Sequence, residues 1–351
     1  MLGRGSGRIR LGIIGGGAIT EIAHLPAVLA SPAVELTAIC DTKETRLRYL
    51  QRQFNLGPIM FNDYKKIFAS VDAVILALPN ALHAPVSVDF LSRGIHVLCE
   101  KPLAVTSKEC GHLCRVAEDA GSVLAVGFFT RFFPSTELTK QLIESEFLGK
   151  LDSFHYEFGT AGGWDTVSGY HLGRGESGGG VLVVSASHFI DRMLYLFGDV
   201  DVVSYCDDSR GGVEANCVAR FQANLYGQPI KGSIILSKTH SLLNCLRIAG
   251  ERGILEIGEG QTRSVMYFPA NQERRHEITS LGKEGFEVDQ DYFRVQLNDF
   301  LAAIQTGVSP KVNGRQGRKS VEITERCYGI ATAKKELWCD STLERLRLAM
   351  L

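Results

Sequence analysis

Along the first 130 residues, short apolar runs alternate with longer amphipathic stretches. Arg8–Ile14 reads as a strand, followed by Gly15-Gly16-Gly17 and a helical stretch from Ala18 to Ala30. Pro26 lies inside that stretch and is expected to kink or restart the helix, because it lacks an N–H and its ring crowds the preceding turn. Val34–Cys40 predicts a second strand closed by Asp41, and Thr42 is placed to cap a charged helix running to Phe54. Asp72–Leu78 is almost continuously apolar, as expected of a central parallel strand covered on both faces. Pro79-Asn80 stops it, a helix is expected from about Pro85 to Arg93, and Gly94 suits the residue just beyond a helix end. Ile95–Cys99 and Val123–Gly127 are further strands. The helix between them opens on a Thr106/Glu109 capping box and ends near Gly121. This alternation predicts a doubly wound parallel sheet.

From residue 131 the rhythm changes. Leu151–Gly159, Val200–Asp207, Cys217–Gln222 and Gly232–Leu236 read as longer strands with stretches of period-two alternation. That pattern suits an antiparallel sheet with one covered face. Helical patterns follow at Asp289–Thr306 and Gly317–Trp338. The expected architecture is α/β: a Rossmann-type domain over residues 1–130, then a second domain over 131–351. A chain of 351 residues suits two domains of roughly 150 each.

Composition narrows the class. The 38 Lys+Arg against 39 Asp+Glu leave a net charge of −1, unlike the basic surface of a dedicated nucleic-acid binder. The nine cysteines are scattered without a C-x-x-C pair, which suits reduced thiols in a cytoplasmic protein. The N-terminal MLGRGSGRIRLGIIGGG imitates a signal peptide, but glycines break its apolar run and no small-residue cleavage site follows. No apolar run reaches the roughly 18 residues of a membrane span. No histidine spacing suggests a metal site. A soluble, cytoplasmic protein is expected.

Thirty-seven glycines give the chemistry its first address. Gly15-x-Gly17 follows the first strand and opens a helix. In a dinucleotide-binding turn the first glycine allows the tight bend and the second lets the backbone approach a pyrophosphate, with helix N–H groups aimed at it. Thr20 stands at the third fingerprint position, where Gly or Ala is usual. Asp41, 24 residues after Gly17, is placed to accept ribose hydroxyls of NAD and repel the extra phosphate of NADP. Lys43 and Arg46 lie close enough to leave NADP open.

Cys99-Glu100-Lys101-Pro102 ends a later strand, on the edge where open α/β sheets bind ligands. A partly desolvated lysine there can lose proton affinity and serve in acid–base work. Gly178-Gly179-Gly180 leads into Ser187-His188-Phe189-Ile190-Asp191, where His188 and Asp191 share a helix face and the glycines are expected to bring backbone close to a partner.

These segments resemble the oxidoreductase family named for glucose–fructose oxidoreductase, inositol dehydrogenase and a rhizopine-catabolism protein. The resemblance runs through GIIGGGAI (12–19), LPNALH (78–83), GIHVLCEKPLAV (94–105), VGFFTRFFP (126–134) and GGGVLVVSASHFID (178–191). It implies NAD or NADP held by Gly15, Gly17, Ala18, Ile19, Asp41, Pro79, Asn80, His83, Glu100 and Lys101. It further implies hydride transfer between nicotinamide and a carbinol or carbonyl carbon of a sugar, polyol or sugar derivative. Lys101 and His188 match the residues that handle the proton, while Asp191 is placed to orient the imidazole or bind substrate. His24 also matches a family position, for which a core or surface role is expected.

Three positions depart from the family. Val184 stands where polyol-oxidising members carry an aspartate, with Ala186 for a glycine, and Phe129 replaces a polar residue although Arg131 is kept. Arg131, Trp164 and Arg174 complete the candidate substrate contacts: Trp164 can stack on a sugar ring and Arg174 can bind an anionic group. A homodimer or homotetramer is expected from the family, with no nucleic-acid or membrane partner. Two other readings stay open: an NAD-dependent glycosidase working by transient oxidation, and a cofactor-binding relative impaired by Val184.

Overall fold

The computed structural model describes residues 7–162, 169–260, 262–279 and 290–333. Trp164 lies outside them. Six parallel strands form the first sheet: β1 Ile9–Ile14, β2 Val34–Cys40, β3 Met60–Phe61, β4 Ala73–Leu76, β5 His96–Cys99 and β6 Leu124–Val126, in the order 3-2-1-4-5-6. β4 explains its own apolar run. Ala73 and Ile75 enter the core on one face, and Val74 and Leu76 enter the core on the other.

The helices follow the expected pattern with informative shifts. The chain stays helical from Ala18 to Leu29, but Thr20–His24 form a wide turn in which the Leu25 N–H reaches back to the Thr20 carbonyl. The α-helix restarts as Leu25–Leu29, with Pro26 in its first positions where a missing N–H costs little, which is the restart expected of it. Thr42 does not cap the next helix. Lys43 is its N-cap, and the Asp41 carboxylate takes the Lys43 N–H at 2.8 Å. The third helix spans Asn80–Leu91, starting five residues before Pro85, which its interior accommodates. Thr106 and Glu109 form the expected capping box of helix Ser107–Asp119.

The second sheet has nine strands: β7 Leu151–Gly159, β8 Val200–Asp207, β9 Asn216–Leu225, β10 Gln228–Ser237, β11 Cys245–Gly250, β12 Gly253–Gly258, β13 Ser264–Pro269, β14 His276–Thr279 and β15 Ala331–Ala333. Their order is 14-13-12-11-7-10-9-8-15. Only the β7/β10 and β8/β15 pairs are parallel, so the sheet is mixed and mainly antiparallel. One face packs on helix Ser187–Phe197, where Phe154 stacks on Phe197 at 4.4 Å and Tyr156 on Phe189 at 3.9 Å. Strands β11–β14 and helix Pro134–Glu144 were not foreseen. The last expected helix is shorter at its end, spanning Gly314–Gly329 on an Asn313/Gln316 capping box before β15 begins.

Helix Gln290–Thr306 covers the first sheet. Leu297, Phe300, Leu301 and Ile304 join Ile13, Ile75 and Leu98 in one buried cluster. Among the described residues no single helix is long and apolar enough to cross a membrane. The apolar helices Val181–Val184 and Ser187–Phe197 fill the core beneath the second sheet.

Candidate active site

The glycine turn sits between the ends of β1 and β4, where the strand order reverses, the place open α/β sheets reserve for ligands. Gly15 has φ +101°, and a Cβ there would lie 2.1 Å from the Ala77 carbonyl oxygen, so only glycine fits. Its carbonyl accepts from Thr20 Oγ1 at 2.6 Å, which gives the unusual third-position residue a job inside the turn. A Cβ on Gly17 would meet nothing within 4 Å. That open space beside exposed helix-start amides fits a dinucleotide pyrophosphate. Ala18 and Ile19 are partly exposed beside it.

Asp41 closes the turn, accepting the Gly16 N–H at 2.8 Å. Arg46 donates to the Gly16 carbonyl, to the Gly17 carbonyl at 3.3 Å and to Glu21. Its guanidinium also lies 4.9 Å from the Tyr49 ring centre. Both charges flanking the cofactor turn are therefore held in place by the turn itself.

At the far end of the same edge, Pro79 caps helix Asn80–Leu91 and Asn80 reaches the second half of the chain, donating to the Ser177 carbonyl at 2.7 Å. His83 is fully buried, with ring nitrogens 2.7 Å from the Pro102 carbonyl and 2.9 Å from the Leu78 carbonyl. It ties the Lys101-Pro102 loop to the end of β4, and burial pulls its pKa down. Glu100 is buried and bonded to His24 at 2.7 Å. Burial raises its carboxyl, but the His24 hydrogen bond and charge outweigh this and leave its pKa lowered.

Lys101 Nζ donates to the Val184 carbonyl at 2.9 Å. Val184 ends its short helix, so the position lacking an acidic side chain still anchors the lysine through its backbone. Burial lowers the Lys101 pKa, Glu100 opposes the shift, and Lys238 adds to it. His188 stands four residues on from Val184, edge-on to Phe129 at 4.7 Å and to Phe128 at 5.8 Å. Its Nδ1 is buried without a hydrogen-bond partner among the described residues. Burial, with help from Lys101 and Arg192, holds its pKa well below the ordinary histidine value. A neutral imidazole beside a lysine with weakened proton affinity can exchange a proton with a bound hydroxyl.

Other expected site residues lie elsewhere or do other work. Arg131 and Asp191 form a buried bidentate pair, both bonds 2.7 Å, so Asp191 is spent on Arg131 and not on the His188 ring. Burial pushes the Asp191 carboxyl up to about 6, against the pull of Arg131 and Arg192. Arg174 is exposed and lies 4.8 Å over the Tyr328 ring. The triple glycine packs against protein. A Cβ on Gly179 would fall 2.0 Å from the Tyr328 hydroxyl, and one on Gly180 would fall 2.0 Å from the Glu214 carbonyl oxygen. Glu214 accepts the Gly180 N–H at 2.9 Å, the Leu182 N–H at 3.0 Å and the Tyr328 hydroxyl at 2.7 Å. Sequence reasoning missed Glu214, Tyr328 and Lys238, none of which lies in a recognisable motif.

A Rossmann sheet with an open glycine turn, and a lysine at its catalytic edge held by a second sheet domain, define a dinucleotide-dependent oxidoreductase. Residues 9–128 match the oxidoreductase family, NAD-binding Rossmann fold, and residues 140–337 match the same family's C-terminal alpha/beta domain. The chain belongs to this family. It is similar to the D-xylose 1-dehydrogenase (NADP(+)) 2 of Haloferax volcanii, 27% identical over 327 residues covering 90% of this chain and 95% of that protein. The D-glucoside 3-dehydrogenase of Escherichia coli is 27% identical over 55% of each chain. Among solved structures, a 3-ketoreductase from Actinomadura kijaniata bound to NADP and TDP-benzene shares the fold with a TM-score of 0.81. It is 22% identical, with 93% of this chain and 98% of that one covered.

Proposed function

We propose that this oxidoreductase interconverts a carbinol and a carbonyl carbon of a sugar, polyol or sugar derivative, with Lys101 and His188 handling the hydroxyl proton. The observation that carries this reading is Lys101 Nζ held at 2.9 Å on the Val184 carbonyl, at the ligand-binding edge of the first sheet. On this reading residues 1–130 hold the cofactor and residues 131–351 hold the substrate. When bound, the nicotinamide dinucleotide supplies the two-electron acceptor or donor. Gly15, Gly17, Ala18 and Ile19 would cradle its pyrophosphate, and Asp41 would face its ribose. In oxidation, neutral Lys101 takes the hydroxyl proton while His188 holds the hydroxyl oxygen; in reduction, the ammonium returns the proton. The buried Arg131–Asp191 pair positions the helix that carries His188. The face of the second sheet opposite helix Ser187–Phe197, where Val218 and Arg220 alternate with core residues, is the proposed contact between copies.

A panel of aldoses, polyols and sugar nucleotides with NAD and with NADP tests the reading. Reduced cofactor should form in step with substrate lost. Cleavage of an aryl glycoside with no net reduced cofactor would replace the proposal with the glycosidase reading.

Two further outcomes are expected. Asp41→Ser should weaken NAD binding and narrow any preference over NADP by about tenfold or more, since a hydrogen-bonded charge is worth roughly 1.5–3 kcal/mol; fluorescence titration with both reduced cofactors checks it. Oxidation should also accelerate as pH rises through the lowered Lys101 pKa, because only the neutral amine accepts a proton. No separate histidine limb should appear near neutrality in the pH–rate profile, because His188 stays neutral there.

A further inference from the structure

The acidic groups described around the catalytic edge are all engaged within the protein. Glu100 pairs with His24, Asp191 with Arg131, and Glu214 with two backbone amides and Tyr328. Val184, whose carbonyl holds Lys101, adds no charge. Glu100 and Glu214 act on Lys101 and Lys238 through space, but among the described residues no carboxylate bonds either ammonium. Lys101 rests on a neutral carbonyl.

Lys238 follows β10 directly. Its N–H bonds to the Ala215 carbonyl at 2.9 Å, and its carbonyl accepts the Gly162 N–H at 3.1 Å. The end of β10 runs beside the end of β7, pairing Ser237 with Gly159. Helix Val181–Val184, whose last carbonyl holds Lys101, packs on β9 and β10. These contacts gather Lys101, Val184 and Lys238 at one edge. Lys238 is half-buried, and among the described residues its Nζ makes no hydrogen bond or ion pair. Its charge reaches Lys101 and His171, lowering the pKa of each alongside burial. The buried Nδ1 of His171 also lacks a partner among the described residues.

Two partly desolvated ammonium groups at one edge, neither bonded to a carboxylate, favour an added anion. We propose that Lys238 is a specificity-determining residue that binds the carboxylate of a sugar acid, a uronate or aldonate, presented beside the carbinol carbon served by Lys101. The assignment rests on the oxidoreductase reading of the site. Phosphate sites are commonly nests of several backbone N–H groups. The described residues here offer one ammonium and one imidazole nitrogen, which match the two oxygens of a carboxylate.

Calorimetric titration of the NADH-loaded protein with glucuronate, gluconate, glucose and a glucose phosphate ester tests the assignment. A sugar acid should bind at least about tenfold more tightly than glucose, the margin expected of a charge-assisted contact. Lys238→Met should erase most of that ratio, and Lys238→Arg should keep part of it, separating loss of charge from loss of fold. Equal affinity for acid and neutral sugar, a stronger preference for the phosphate ester, or an unchanged ratio in Lys238→Met would overturn it. Acid preference with no sugar turned over would uphold Lys238 and overturn the oxidoreductase reading instead.

Discussion

Lys101→Met is expected to lower kcat by about two to four orders of magnitude, the usual contribution of a positioned acid–base group. The fold should survive. The change removes one hydrogen bond to the Val184 carbonyl, and it also removes the cost of a partly buried ammonium. NADH binding should change little, because the glycine turn and Asp41 lie at the other end of the cofactor edge. Steady-state turnover on the substrate found in the panel, set beside NADH fluorescence titration, separates the two effects. Turnover within a few-fold of the parent would remove Lys101 from the chemistry. His188 should then be tested alone, since its neutral ring sits four residues beyond the carbonyl that holds Lys101.

Arg131→Ala is expected to cost about 3–5 kcal/mol of stability, because it leaves Asp191 buried without its bidentate partner. The pH dependence has a definite sign. Burial already raises the Asp191 carboxyl to about 6, and loss of Arg131 raises it further. Below that pKa the group protonates and the unpaired charge disappears, so the deficit relative to the parent should shrink in acid and widen in base. Urea denaturation at acidic and alkaline pH measures this directly. Replacing both partners, Arg131→Met with Asp191→Leu, should recover much of the loss, because an apolar pair leaves no buried charge behind. A single mutant as stable as the parent would show that the pair does not hold the His188 helix in place.

Much of the first sheet was legible. β2 has the bounds its apolar run suggested, Thr106 and Glu109 cap as their spacing required, and the Gly15 turn needs glycine for the reason its motif implied. The second half was harder. Strands β11 and β12 form a hairpin whose register is set by pairing with β7, nearly a hundred residues earlier, as in the pairing of Leu246 with Tyr156. The triple glycine was visible, but its meaning was not. It makes room for Tyr328 and Glu214, which approach from remote parts of the chain.

By itself the sequence determined the elements whose cause is local. Apolar runs specify buried strands, glycines at forced backbone angles specify the cofactor turn, and a strand end places Lys101 at the ligand edge. Only the tertiary structure decided which charges are already spent. Glu100 on His24, Asp191 on Arg131 and Glu214 on the glycine segment are pairings across 76, 60 and 34 residues. It also decided that helix Gln290–Thr306 covers the first sheet. Contacts between distant residues leave no periodicity along the chain. Their energy comes from burial and from satisfying charge, and both exist only once the chain has folded.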